Sequence, residues 1–289
     1  MDRRKFLTVT GAAGVAAVWG GSLVGCASSG NSKPSASGTF PLSSIGLQLY
    51  TVRTLADKDL EGTIAAVAAA GYKLVETHTL YGKSAADLRA IFDKNGIRTP
   101  SGHYGLAEFE TSPDKVFATA KTLGQETVVL NWLDPAHRTA DFYKGFPALL
   151  NKFGSQAKAA GLKFAHHNHD FEFDTLGGTT PVIDTVIANT DPALVSFEVD
   201  LYWVYKAGTD PLRFIEKNAG RVSLVHLKDS TPAPAKNMAD VGAGVIEFGK
   251  ILSAAQRNGV KYAYVERDDT TDPLATIRAS RAFLGTLLG

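Results

Sequence analysis

Three pairs of chemically capable residues stand two positions apart: His167 with His169, Glu198 with Asp200, and His226 with Lys228. Each pair closes a short run rich in Val, Leu, Phe or Ala. Residues two apart share one face of a strand, so each pair sets two polar groups on the same side at a strand end. Gln48, Glu76 with His78, His103, Asn131 and Glu266 end similar runs. Five of the seven histidines fall at such ends; His166 has the opposite parity to His167 and is expected to face the helices, and His137 lies in a loop. A lone strand-end histidine is more often a hydrogen-bonded structural residue than a ligand. Their convergence changes that balance, because clustered carboxylates and imidazoles lose solvation and repel unless a cation or substrate compensates. Oxygen and imidazole donors without thiolates suit Mn²⁺, Mg²⁺, Co²⁺ or Zn²⁺. The expected cofactor is one divalent metal ion, with Mn²⁺ the first choice.

These groups need a scaffold that brings strand ends together. Glycines at 71, 96, 124, 161, 220 and 259 each follow a helical pattern and precede a β-rich run. A glycine just past a helix accepts the left-handed conformation that ends it. Eight strands are expected, at Ile45–Leu49, Lys73–Glu76, Ile97–Gly102, Thr127–Asn131, Lys163–Asn168, Val195–Asp200, Val222–Lys228 and Tyr262–Glu266. Helical spacing of apolar residues marks Leu60–Ala70, Ala85–Phe92 and Val116–Leu123, and prolines at 113, 181, 211 and 273 open further helices. Strict strand–helix alternation with eight strands predicts an α/β fold, a (β/α)8 TIM barrel with its site at the C-terminal strand ends. A doubly wound sheet fits less well. Its first turn usually carries a glycine-rich phosphate loop, and here that turn reads Gln48-Leu49-Tyr50-Thr51-Val52-Arg53.

Composition narrows the partners. The chain has 289 residues, 30 Lys+Arg against 29 Asp+Glu, and one cysteine. Such a balance gives no footprint for nucleic acid, and a single cysteine excludes a disulfide framework and a thiolate zinc site. The first residues read as an address. Arg3-Arg4-Lys5-Phe6-Leu7 before an apolar stretch resembles a twin-arginine export signal. Leu23-Val24-Gly25-Cys26 resembles a lipobox, with Cys26 as the acylated residue. Residues 1–25 are therefore expected to be a signal peptide, 26–39 a flexible tether, and 40–289 the barrel domain. Removing the signal turns the formal charge from +1 to −1. The expected location is the periplasm or a membrane reached only through a lipid anchor; homo-oligomerisation is left open.

The segments IGLQLYTVR (45–53), GYKLVE (71–76), SGHYGL (101–106), HNHDFEF (167–173), FEVDLYWVYKAG (197–208), VHLKDS (225–230) and YVERD (264–268) resemble the sugar phosphate isomerase/epimerase family with the xylose-isomerase-like barrel. The resemblance spans the chain from about Ile45 onward. It implies one metal held by His167, Asp200, His226 and Glu266. His167 is a departure, since many relatives carry Glu there. The family's epimerases use their first and last ligand carboxylates as two opposed bases. Here Glu266 is the one such carboxylate, with His169, Glu198 or Lys228 as partner.

From their places at or beside the strand ends, His103 is expected as a substrate contact or proton shuttle, and Gln48, Tyr50, Glu76, Asn131 and Trp203 as substrate contacts. Tyr50, Trp203 and Tyr202 could stack on a sugar face. Lys228 would either stabilise an oxyanion or form a salt bridge to Asp200 or Glu198. The expected activity is a metal-dependent sugar isomerase or epimerase that removes the proton α to a bound carbonyl. A keto-sugar lyase or dehydratase on the same barrel, including enzymes that cleave 3-keto-glycosides, is the first alternative. A non-catalytic sugar-binding lipoprotein is the second, and the charge cluster argues against it. A phosphodiester-cleaving barrel of the endonuclease IV type needs further His and Asp ligands; Trp203 stands where those enzymes carry a His.

Overall fold

Short apolar runs set off by turn glycines form the strands, and a computed structural model describes residues 39–289. The strands are β1 (Ile45–Gln48), β2 (Leu74–Thr77), β3 (Arg98–Tyr104), β4 (Thr127–Leu130), β5 (Lys163–His167), β6 (Ser196–Asp200), β7 (Val222–Leu227), β8 (Asp229–Ser230), β9 (Met238–Ala239) and β10 (Tyr262–Val265). Eight of them close a barrel in the order β1-β10-β7-β6-β5-β4-β3-β2, with neighbours parallel. The (β/α)8 expectation holds. All six glycines read as helix ends have positive φ, between 62° and 93°.

Every barrel strand lies where expected, with its bounds shifted by one or two residues. β2 and β3 start one residue later and run further, to Thr77 and Tyr104; β6 starts one residue later, and β1, β4, β5, β7 and β10 end one residue earlier. The helices Leu60–Ala69, Ala85–Lys94 and Pro113–Leu123 lie where apolar spacing placed them. Pro113, Pro211 and Pro273 occupy first helical positions, whereas Pro181 is the N-cap residue before Val182–Asn189. The antiparallel pair β8–β9 was not expected. Each of its strands is two residues long and the connection holds Pro232 and Pro234, so no alternation marks it. The signal, the tether and Cys26 lie outside the described residues. Among the described residues no helix is long and apolar enough to cross a membrane.

Parity builds the barrel interior in layers. Leu74, Val129, Ala165, Leu224, Tyr262 and Tyr264 form an apolar plug. Two residues on, the same inward faces carry Glu76, Asn131, His167, His226 and, after Tyr264, Glu266. A separate large core lies between barrel and helices, with Phe92, Phe153, Phe164 and Phe248 nearly inaccessible. Gly46 faces inward on β1. A Cβ there would sit 2.5 Å from the Tyr264 ring, so only glycine lets that ring fill the barrel beneath the polar layer.

Candidate active site

The polar residues at the strand ends form two tiers. The lower tier is buried and hydrogen-bonded to itself. Glu76 accepts from Gln48 Nε2 at 2.8 Å and from Ser101 Oγ at 2.5 Å, and its Oε2 lies 2.7 Å from His226 Nε2. Ser101 Oγ also lies 2.8 Å from the Tyr264 hydroxyl, tying this tier to the apolar plug. Glu198 Oε2 is met by three imidazoles: His103 Nε2 at 2.6 Å, His167 Nδ1 at 3.0 Å and His226 Nε2 at 3.2 Å.

The upper tier centres on Lys228. Its ammonium lies 3.1 Å from Asp200 Oδ2, 3.0 Å from Glu266 Oε2 and 3.0 Å from Asp268. His226 Nδ1 is 2.7 Å from Glu266 Oε2, so this ring joins the two tiers. Asp200 is held from its own backbone: Asn168 Oδ1 accepts its N–H at 3.0 Å, and its Oδ1 caps the helix Leu201–Lys206 through the N–H groups of Tyr202 and Trp203. Asp200 Oδ2 has no aligned hydrogen bond despite the nearby ammonium.

Burial and neighbours divide the charge. Burial opposes charge on His103, yet Glu76 and Glu198 push its pKa up to about 9. The same balance carries His226 well above the usual histidine value, with Glu198 and Glu266 as partners. Burial would raise Glu76, but His103 and His226 outweigh it and hold the carboxyl well below its ordinary range. Glu266 is likewise lowered against burial by Lys228 and His226. Burial, then the surrounding cations, drives His167 and His169 well below the usual value, so both rings are neutral. Burial lifts Asp268 to about 6, with Lys228 opposing the rise.

Above these tiers opens a cavity of about 490 Å³, lined by Tyr50, His78, His103, Asn131, Trp132, His167, His169, Lys228, Glu266 and Asp268. Of the residues expected to touch substrate, Tyr50, Asn131 and His103 line it. Gln48, Glu76 and Trp203 do not: the first two are bonded to each other in the lower tier, and the Trp203 indole packs near His169 and Lys228. Glu198, expected as a catalytic partner, also lies outside the lining, fully buried under three rings. Lys228 takes the salt-bridged arrangement, to Asp200 but not to Glu198. His166 faces away, as its parity requires, and bonds Glu172 at 2.5 Å.

Trp132 and Asp268 line the cavity without having been named from the sequence, and His78, expected only as a strand-end residue, lines it too. Asp268 stands two past Glu266, so the pairing rule that found His169 and Lys228 would have found it too.

Asp200, His226 and Glu266 offer ligand atoms all within 4.8 Å of one another, as do His103, His167, Glu198 and His226. His167 Nε2 comes within 3.7 Å of Asp200 Oδ2. Oxygen and imidazole donors, with two buried carboxylate oxygens, Asp200 Oδ2 and Glu198 Oε1, left without a hydrogen bond, fit a divalent cation. His167 leans to the lower group, which its place on a strand end alone does not tell.

Residues 64–287 match the family model described as "Xylose isomerase-like TIM barrel". The chain belongs to the xylose isomerase-like TIM barrel family. It is 26% identical over 237 residues to an inosose dehydratase of Lacticaseibacillus casei, covering 69% of this chain and 78% of that one. Among solved structures, a sugar phosphate isomerase/epimerase of Parabacteroides distasonis superposes with a TM-score of 0.71 at 24% identity, covering 85% and 93% of the two chains. The IolI protein with a bound zinc atom superposes at 0.66 and 17% identity, covering 85% and 98%. Family membership and this polar mouth make the chain an enzyme.

Proposed function

We propose that the barrel mouth removes the proton α to the carbonyl of a keto-sugar or cyclic polyol ketone and expels a β-hydroxyl as water. The observation that carries this reading is the upper tier, where three carboxylates and an ammonium meet beside the neutral imidazole of His169. Similarity to a dehydratase supports it. Asp200, His226 and Glu266, with His167 alongside, would hold one divalent cation, whose Lewis acidity makes the proton next to a carbonyl easier to remove.

The protein's own groups account for the proton movements. His169 keeps a free lone pair and takes the α-proton as the C–H bond breaks. The electron pair becomes the new C=C bond. The departing hydroxyl receives a proton from the Lys228–Asp268 pair and leaves as water. Elimination needs one base and one acid. Two-base epimerisation needs opposed carboxylates, and His167 stands where the second would be. His103, held cationic, is placed to bond a substrate oxygen at the cavity floor.

The test is NMR of a keto-sugar or inosose with the metal-loaded enzyme in D₂O. Loss of water with a new alkene or its diketone tautomer supports elimination. Deuterium at a carbon with all hydroxyls retained supports the isomerase or epimerase reading, and no change with any keto-sugar contradicts both. Mn²⁺ as the native ion, export through the twin-arginine route and acylation at Cys26 belong to the same proposal and rest on donor chemistry and sequence motif.

A further inference from the structure

Beside the mouth cavity lies a second one of about 400 Å³, and the two share His78 and His103 as walls. The geometry points to a second binding subsite there, for another polyhydroxylated unit of the same substrate. The inference rests on the keto-sugar reading of the mouth and makes the substrate larger than a single ring.

Three observations carry it. The first is continuity, since any ligand seated against His103 and His78 borders both spaces. The second is size: each cavity lies in the range that holds a small organic ligand. The third is lining. Thr79, Thr111, Ser112 and Thr119 supply hydroxyls at the outer wall, while Tyr104 and Val116 supply an apolar inner wall. Hydroxyls that both donate and accept, set over an apolar face, match the alternating OH and C–H surfaces of a sugar ring.

The fold opens this space at a defined elbow. The helix Leu106–Thr111 ends where Ser112 leaves helical geometry (φ −145°, ψ 46°), and Pro113 starts the next helix. Thr111 donates to Ala107 O at 2.7 Å and lies 3.5 Å from Ser112 Oγ, so the two hydroxyls sit side by side in the groove lining.

Binding can be read without turnover. Titration calorimetry with maltose and with glucose, on the full metal-loaded protein, is expected to show maltose bound at least tenfold more tightly. Thr111→Trp fills the groove from the exposed elbow and should bring maltose down to the glucose value while glucose binding stays within twofold. Thr79→Trp, on the opposite loop, repeats the test if the first variant folds poorly by circular dichroism. Equal binding of maltose and glucose by the wild-type protein would overturn the proposal, as would an equal loss of both in each variant. Failure of the elimination assay with intact maltose selectivity would sink the proposed reaction and leave the subsite standing.

Discussion

Glu172 reaches the cavity wall from behind, its Oε2 accepting the His169 backbone N–H at 2.7 Å. Its other oxygen lies 2.5 Å from His166 Nε2, and both residues are 1% exposed. The outward histidine and this carboxylate therefore hold the segment that carries the proposed base.

Replacing Glu172 by Ala leaves a buried ring and a buried N–H without partners, a cost of roughly 1–3 kcal/mol each. Glu172→Ala should lower the urea midpoint and cut kcat more than tenfold, with KM nearly unchanged. Glu172→Gln keeps one of the two bonds and should recover most of the stability. A Glu172→Ala enzyme with wild-type kcat would show that His169 is not positioned this way.

Lys228 is the sole ammonium among Asp200, Glu266 and Asp268 in the described structure. Removing one partner of a buried ion pair costs about 3–5 kcal/mol, because the charges left behind lose their compensation. Lys228→Met should melt well below wild type in chelator, and added Mn²⁺ should restore much of the loss. Turnover should stay low even when stability returns. A melting curve indifferent to Mn²⁺ would separate Lys228 from the cation site.

His78 gives a stability signature in acid. Burial, then nearby His103, lowers its pKa from 6.5 to about 4. The unfolded chain therefore binds this proton first as pH falls. Above pH 6.5 the residue contributes nothing; between 6.5 and 4 the folded state loses stability, reaching a deficit of roughly 3 kcal/mol below pH 4. The unfolding free energy of His78→Asn should fall less than that of wild type across this window. Parallel curves would mean that His78 is not desolvated in the folded enzyme.

The sequence made the barrel legible because two local signals repeat: a helix-ending glycine and a short apolar strand. Parity then placed the three strand-end pairs, His167 with His169, Glu198 with Asp200 and His226 with Lys228, on the inward face. It could not give depth. Glu198 and Asp200 share a face, but only the staggered strands put Glu198 under three imidazoles and Asp200 beside Lys228. Gln48 and Glu76 sank into the lower tier for the same reason. Trp132 directly follows Asn131 at the end of β4, and no pattern in the chain says that its ring turns to the mouth. Glu172 lies in a one-turn helix, and its role depends on two histidines brought to it by folding.

The most direct test is a crystal of the Mn²⁺-loaded enzyme measured near the manganese absorption edge. The account predicts one anomalous peak at the barrel mouth, bonded by Asp200, His226 and Glu266, with the Lys228 ammonium displaced toward Asp268. A mouth without a peak, where the Lys228 ammonium alone bridges Asp200 and Glu266, would contradict it.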